Sequence, residues 1–321
     1  MSLMAGPLAP YTRRRRYVAK TTTLADAAPV FLQWLARVRQ VSPHTVTAYH
    51  TDLRTFLGFC RAAGIHRPGQ LAVRDVEVFL AWIRETRGLR AASVVRALSS
   101  LRTFYRFLMR EGVVDRNVPG LAQAPRKVRP LPDYLPPHAQ ATFLGALAEL
   151  RTTVGRRDHA LICTALLTGL RAAELTTLRL EDVDLAAGTL RTLGKGAKER
   201  ELPIVPALAE VLGGYLRDVR PRLLRGRSSG YVFPPQRRLA GRPMATRTLR
   251  SVVARRAAAL LGRHAWPHLF RHSFASKLYD GGADPLLIME ALGHTQLATT
   301  MIYTHISSKK RRADIARFLG A

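Results

Sequence analysis

The sequence predicts a mainly α-helical chain of two domains with one small antiparallel β-sheet (α+β), and three observations carry that expectation. The length of 321 residues exceeds what most single hydrophobic cores hold. Apolar residues recur at alternating steps of three and four in both halves, the period of a helix with one buried face. A proline-rich stretch separates those halves, and the strand signals lie only after it, around 189–203 and at Tyr231.

In chain order, residues 1–22 are expected to form a basic, flexible tail. Its run Arg13 to Arg16 reads either as an arm on a polyanion or as a solvated, unstructured segment. Residues 23–118 read as a helical domain. Ser42-Pro43 has the N-cap and first-turn pairing that starts a helix, and Val46, Tyr49, Leu53, Phe56 and Cys60 then define a buried face. The opposite face carries Thr45, Thr47, His50, Thr51 and Arg54, hydroxyls and donors suited to phosphate oxygens, although a solvated face would look the same. A later helix, AASVVRALSSLRTFYRFLMREG, buries Val94, Leu98, Leu101, Phe104 and Leu108. It also sets Arg102, Arg106 and Arg110 on one stripe with no acidic partner at matching spacing, which suits a nucleic-acid backbone.

Residues 119–136 form the expected linker, because Pro119, Pro125, Pro130, Pro132 and Pro136 disfavour regular helix. Its Arg126, Lys127 and Arg129 suggest that it follows a phosphate backbone. The second domain, 137–321, opens with helices, of which GRRDHALICTALLTG is apolar enough to be central. GTLRTLGKGAKERELPI then reads as two short strands around a Gly-rich basic turn, with YVFP at Tyr231 as a third strand, before the chain returns to helix.

Charge narrows the partner. Lys and Arg number 51 against 22 Asp and Glu, a net +29, which points to a polyanion, with nucleic acid ahead of an anionic membrane surface. No run of 18 or more apolar residues occurs and the N-terminus has no signal-peptide core, so the expectation is a soluble, cytoplasmic protein with no membrane partner. Cys60 and Cys163 stand in apolar helical patterns, which argues against a disulfide framework or a Cys-based zinc site.

Several residues stand out for chemistry. Arg171 follows Thr168-Gly169-Leu170, where the glycine ends one helix and leaves the arginine at the start of the next. A fork of donors beside free helix N–H groups favours phosphate, although Glu174 at i+3 can simply pair with it. Lys195 sits between two glycines in GKGAKER, at a spacing that is not a nucleotide-binding loop. In HLFRHSF, His268, Arg271 and His272 share about one turn of helix, and His294 follows. The spacing of His268 and His272 is one that zinc uses, but Leu269 stands where a metalloprotease needs Glu, and two arginines would repel a cation. Charge build-up on a phosphodiester explains this set better, since arginine forks and histidine N–H groups offset it without a metal. Tyr303 is then either the nucleophile or a core aromatic beside Met301 and Ile302.

Taken in order, TGLRAAEL, GKGAKER, HLFRHSFAS and LGHTQLATTMIYTH resemble the tyrosine recombinase (phage integrase) family, above all its bacterial Xer-like members. The resemblance spans nearly the whole chain and maps catalytic roles onto Arg171, Lys195, His268, Arg271, His294 and Tyr303, with no departure at these six positions. It implies a two-domain, C-shaped DNA clamp: a helical core-binding (SAM-like) domain and a DNA breaking-rejoining catalytic domain. Tyr303 would attack the scissile phosphate to form a 3′-phosphotyrosyl link, and the released 5′-hydroxyl would attack a partner duplex to form a Holliday junction. His268 would assist proton transfer, Lys195 would protonate the leaving oxygen, and no metal or other cofactor would be required.

The implied partners are a double-stranded DNA recombination site, three further protomers in a homo- or hetero-tetramer with a paralogous recombinase, and a septal DNA translocase. The tail ISSKKRRADIARFLGA would dock on a neighbouring protomer through Ile315, Phe318 and Leu319, or fold back on its own domain. The competing expectations are a mobile-element integrase, a type IB topoisomerase and a non-cutting architectural DNA-binding protein. Contacts to DNA are expected from Thr45, Thr47, Arg54, Arg102, Arg106, Arg110, Lys127 and Arg129.

Overall fold

The structure is a computed structural model and describes residues 19, 22–123, 133–193, 199–235 and 241–293. The Arg13–Arg16 run, Lys127, Arg129, Lys195, His294, Tyr303 and the C-terminal tail lie outside the described residues. The chain divides into two compact units, Met1–Arg129 and Pro130–Ala321.

The first unit is built from α1 (Leu24–Arg37), α2 (Pro43–Ala62), α3 (Val73–Glu85), α4 (Ala91–Arg110) and the single turn α5 (Val118–Leu121). Thr23 and Ser42 cap α1 and α2, their hydroxyls accepting from the N–H groups of Asp26 and Thr45, and Pro43 fills the first turn of α2. Phe31, Leu53, Phe56, Phe79, Leu98, Leu101, Phe104 and Leu108 meet in one core, where burial of each large side chain stabilises the fold by about 1.5–3 kcal/mol. Val46 and Tyr49 are only half-buried, because the chain entering α2 lies at the edge of that core. A buried polar tie joins α2 to α4: Asp52 accepts from Arg96 at 2.8 Å and from Ser100 at 2.7 Å.

Two expectations need correction here. Pro119 does not extend the chain. It occupies the first turn of α5, where its missing N–H is not needed, and Asn117 caps the turn. Nor do all three arginines of α4 share one open stripe, because Arg102 leaves it. Arg102 is turned inward, donating through Nε to the Pro119 carbonyl at 3.1 Å and through Nη2 to that of Ala122 at 2.8 Å. Arg110 pairs with Glu111 at 2.8 Å and covers the Trp34 ring at 4.3 Å yet stays 47% exposed, and Arg106 is exposed in contact with Thr103.

The second unit runs α6 (Pro137–Ala148), α7 (Thr153–Thr168), α8 (Ala172–Thr177), β1 (Val183–Asp184), β2 (Thr189–Leu193), β3 (Glu199–Pro203), α9 (Pro206–Gly214), a π turn over Tyr215–Val219, α10 (Arg220–Leu224), α11 (Thr246–Leu261), α12 (Pro267–Asp280) and α13 (Pro285–Leu292). Helix α7 is central and packs against α6, α9 and α12, with Leu161, Ile162 and Leu166 inaccessible to solvent. It also carries a charge cluster in which Asp158 accepts from Arg157, Arg255 and Arg256.

The sheet has the order β1-β2-β3, antiparallel throughout, with Leu190 opposite Leu202 on the buried face. The third strand is thus Val183–Asp184 rather than the segment at Tyr231. That segment makes a single bridge, Tyr231 to Arg179, and sends Val232 and Phe233 into the core instead. Among the described residues, no helix is long and apolar enough to cross a membrane.

Candidate active site

Three short pieces of chain bring charge to one end of α13. The first is the break between α7 and α8. Gly169 ends α7 in the left-handed region, with φ 62°, and Leu170 and Arg171 turn the chain so that Arg171 caps α8. The Glu174 carboxylate reaches back to the Arg171 N–H at 2.8 Å and pairs with its Nη1 at 2.8 Å. The other end of the fork, Nη2, donates to the Gly293 carbonyl at 2.8 Å.

The second piece is the start of α12. Trp266 and Pro267 set its first turn, which puts His268 in that turn and Arg271 three residues further on. Arg271 is 1% exposed, and its Nη1 donates to the Gly169 carbonyl at 2.8 Å while Nη2 donates to that of Leu292. Arg171 and Arg271 therefore end on successive carbonyls at the C-terminus of α13, the negative end of that helix. Ser273 fixes α12 from below, accepting from the Leu135 N–H at 2.8 Å and donating to Leu269.

Burial, then the positive charges of Arg271 and Arg171, hold the His268 imidazole below its ordinary pKa. His272, whose ring centre lies 5.2 Å from that of His268, is pushed down to about 4, chiefly by burial and then by its neighbours His268 and Arg271. Both rings are thus neutral at neutral pH, and a neutral imidazole can accept a proton where an imidazolium cannot. Two guanidinium groups beside such a base suit an anionic, tetrahedral or pentacovalent centre.

The third piece, β3, contributes Arg200, which closes the GKGAKER run but to which the sequence assigns no role. Arg200 donates to both oxygens of Glu174, at 2.7 and 3.2 Å, and through Nε to the Ala291 carbonyl at 3.1 Å. A signal for it exists: Arg200 shares the inward face of β3 with Leu202, and an arginine there needs an acid or carbonyl partner. Of the six residues expected to be catalytic, Arg171, His268 and Arg271 gather here, and Lys195, His294 and Tyr303 lie outside the described residues.

Among the expected DNA contacts, Thr47 donates its hydroxyl hydrogen to the Pro43 carbonyl at 3.0 Å, Thr45 shares a 2.8 Å hydrogen bond with the Ser42 hydroxyl, and Arg54 is exposed. These hydroxyls can still accept, but a donor role toward phosphate requires the Thr47 bond to open.

Comparison with known proteins agrees with this geometry. Residues 137–310 match the phage integrase family model, and residues 30–112 match the phage integrase N-terminal SAM-like domain. Tyrosine recombinase XerC of Oceanobacillus iheyensis is 35% identical over 286 residues, covering 88% of this chain and 92% of that protein. Tyrosine recombinase XerD of Pseudomonas putida is 36% identical over 281 residues, covering 87% and 92%. In fold, the chain resembles the XerH recombinase bound to a difH substrate after cleavage, with a TM-score of 0.69 and 22% identity over 90% of this chain and 84% of that one. It also resembles the Tn1549 transposon integrase in complex with circular-intermediate DNA, with a TM-score of 0.71 and 18% identity over 92% and 99%. On the strength of the family match and of relatives above one-third identity across both units, the chain belongs to the phage integrase family of tyrosine recombinases.

Proposed function

We propose that this protein cuts and rejoins duplex DNA at a defined site, with Tyr303 as nucleophile. The observation that carries the reading is the convergence of Arg171 and Arg271 on the C-terminal carbonyls of α13, beside a neutral His268 and ten residues before Tyr303 in the sequence. In this scheme the Tyr303 oxygen bonds to the scissile phosphorus as the 5′-oxygen leaves, and His268 assists removal of the tyrosine proton. Lys195 delivers a proton to the leaving oxygen. Arg171, Arg271 and His294 offset the charge that builds on the phosphoryl oxygens. A 5′-hydroxyl from the partner duplex then reverses the step, so one ester replaces another and no metal or other cofactor is needed.

The working divisions we assign are a tail over 1–22, a core-binding part over 23–118, a linker over 119–136 and a catalytic part over 137–321, with both parts binding DNA. The identity to XerC and XerD relatives favours a Xer-like role in resolving chromosome or plasmid dimers, and hence in chromosome partition and cell division in the cytoplasm. The active assembly in this reading is a tetramer, of this chain alone or with a paralog, answerable to a septal DNA translocase.

The test finds the DNA site and the nucleophile together. The protein is mixed with fragmented host DNA and denatured, and the DNA held covalently is recovered and sequenced beside a Tyr303→Phe control. A sharp set of fragments that the control loses is expected. One chromosomal locus supports the Xer-like role, whereas the ends of a mobile element would make this an integrase. Fragments bound specifically by the native protein but never held covalently, even with a paralog added, would leave an architectural DNA-binding protein.

A further inference from the structure

Arg200 takes no part in the scheme above, yet it shares Glu174 with Arg171 and donates to the carbonyl next to the one that holds Arg271. Its side chain is 9% exposed, and the Glu174 carboxylate it grips is 6% exposed. Both oxygens of that carboxylate are shared with Arg171, which is more open, at 32%. Three arginines from three elements thus donate to three successive carbonyls: Arg200 to Ala291, Arg271 to Leu292 and Arg171 to Gly293. The packing is close enough that a Cβ at Gly293 would stand 2.8 Å from Arg200 Nη1.

Charge counting gives this arrangement a purpose. Burial alone would raise the pKa of Glu174, but hydrogen bonds and charge from Arg200, with those from Arg171, hold it below the ordinary value. The carboxylate is therefore ionised. Were Arg171 its sole partner, the two would form a neutral pair with little attraction for an anion. With Arg200 present, Glu174 is already neutralised, and Arg171 keeps a net positive charge near the surface while remaining fixed in place. An arginine suits this better than a lysine, because only a fork can hold two carboxylate oxygens and a carbonyl together.

We propose that Arg200 is a positioning residue for strand cleavage: by neutralising Glu174 and holding the Ala291 carbonyl, it leaves Arg171 as a net cation for the scissile phosphate and ties β3 to the chain entering His294. The inference rests on the phosphotyrosyl reading. It predicts a defect that depends on substrate charge, which a residue needed only for packing would not produce.

The experiment uses the full-length protein and a DNA fragment recovered by covalent trapping, made with either the natural phosphate or an uncharged methylphosphonate at the scissile position. Arg200→Met is expected to cleave the phosphate roughly 10²-fold more slowly than wild type, the scale of losing one preorganised charge contact. On the methylphosphonate its deficit should largely vanish, and non-covalent binding should match wild type on both. Arg200→Lys, which restores a cation opposite Glu174 without the fork, should fall between the two. Equal deficits on both substrates, or wild-type rates on the phosphate, overturn the proposal. If Arg200→Met does not fold, Arg200→Lys carries the same comparison, and a deficit independent of substrate charge again overturns it. Failure of the wild type itself to form a covalent complex would sink the cleavage reading rather than this step alone.

Discussion

Replacing Gly169 with alanine tests whether the α7–α8 break is built as described. Gly169 has φ 62°, where a side chain costs about 1–2 kcal/mol. A Cβ there would also stand 2.5 Å from Phe274 Cδ1, 3.0 Å from Cγ and 3.1 Å from Cε1, so the ring or the backbone must move. Overpacking of this kind costs about 1–3 kcal/mol, for a total of about 2–5 kcal/mol. Gly262 supplies the control, since its φ of 63° is nearly the same but nothing lies within 4 Å of an added Cβ. Gly262→Ala should therefore show the backbone cost alone.

Equilibrium unfolding in urea, followed by circular dichroism, gives both values, and their difference isolates the contact with Phe274. Adding Phe274→Leu to Gly169→Ala should recover part of that difference. Covalent trapping of DNA should fall further than stability accounts for, because the Gly169 carbonyl holds Arg271 and the next turn carries Arg171. A difference between the two alanine variants below about 1 kcal/mol would refute the reasoning, since overpacking would then be absent.

Asp158→Ala should destabilise the protein by about 3–5 kcal/mol in the same unfolding assay, because it strands the buried guanidinium of Arg157 and releases Arg255 and Arg256. Stability should also fall as pH drops from 6.5 to about 4, since His272 takes up a proton in the unfolded chain across that window while its folded pKa is depressed. The linkage is complete below the folded value and stays under about 3 kcal/mol, because solvent screens this partly open ring, and His272→Gln should flatten that part of the stability curve. An unchanged slope would show that His272 is not held neutral by the fold.

The parts of the fold legible in sequence are those set by local pattern. Leu53, Phe56 and Cys60 fall on the buried face of α2, and the Gly169 stop and Arg171 start lie where the TGLR run suggests. What escaped depends on contacts between distant segments. The Val183–Asp184 strand is too short to show alternation and forms only because Leu190 offers a partner edge. Arg102 looks like its neighbours in sequence until the chain doubles back and sets the Pro119 and Ala122 carbonyls before it. Arg200 belongs to both classes: its inward position follows from strand alternation, but its partners Glu174 and Ala291 lie 26 and 91 residues away.

The attachment of Leu135 to Ser273 has a mechanical meaning. The chain leaving the first unit enters the second through Asp133 and Leu135, and both are fastened to the neighbourhood of α12, Asp133 through Arg263 and Leu135 through Ser273. Ser273 is two residues past Arg271 on the same helix. A displacement of Leu135 is thus passed through Ser273 directly to the helix that holds His268 and Arg271.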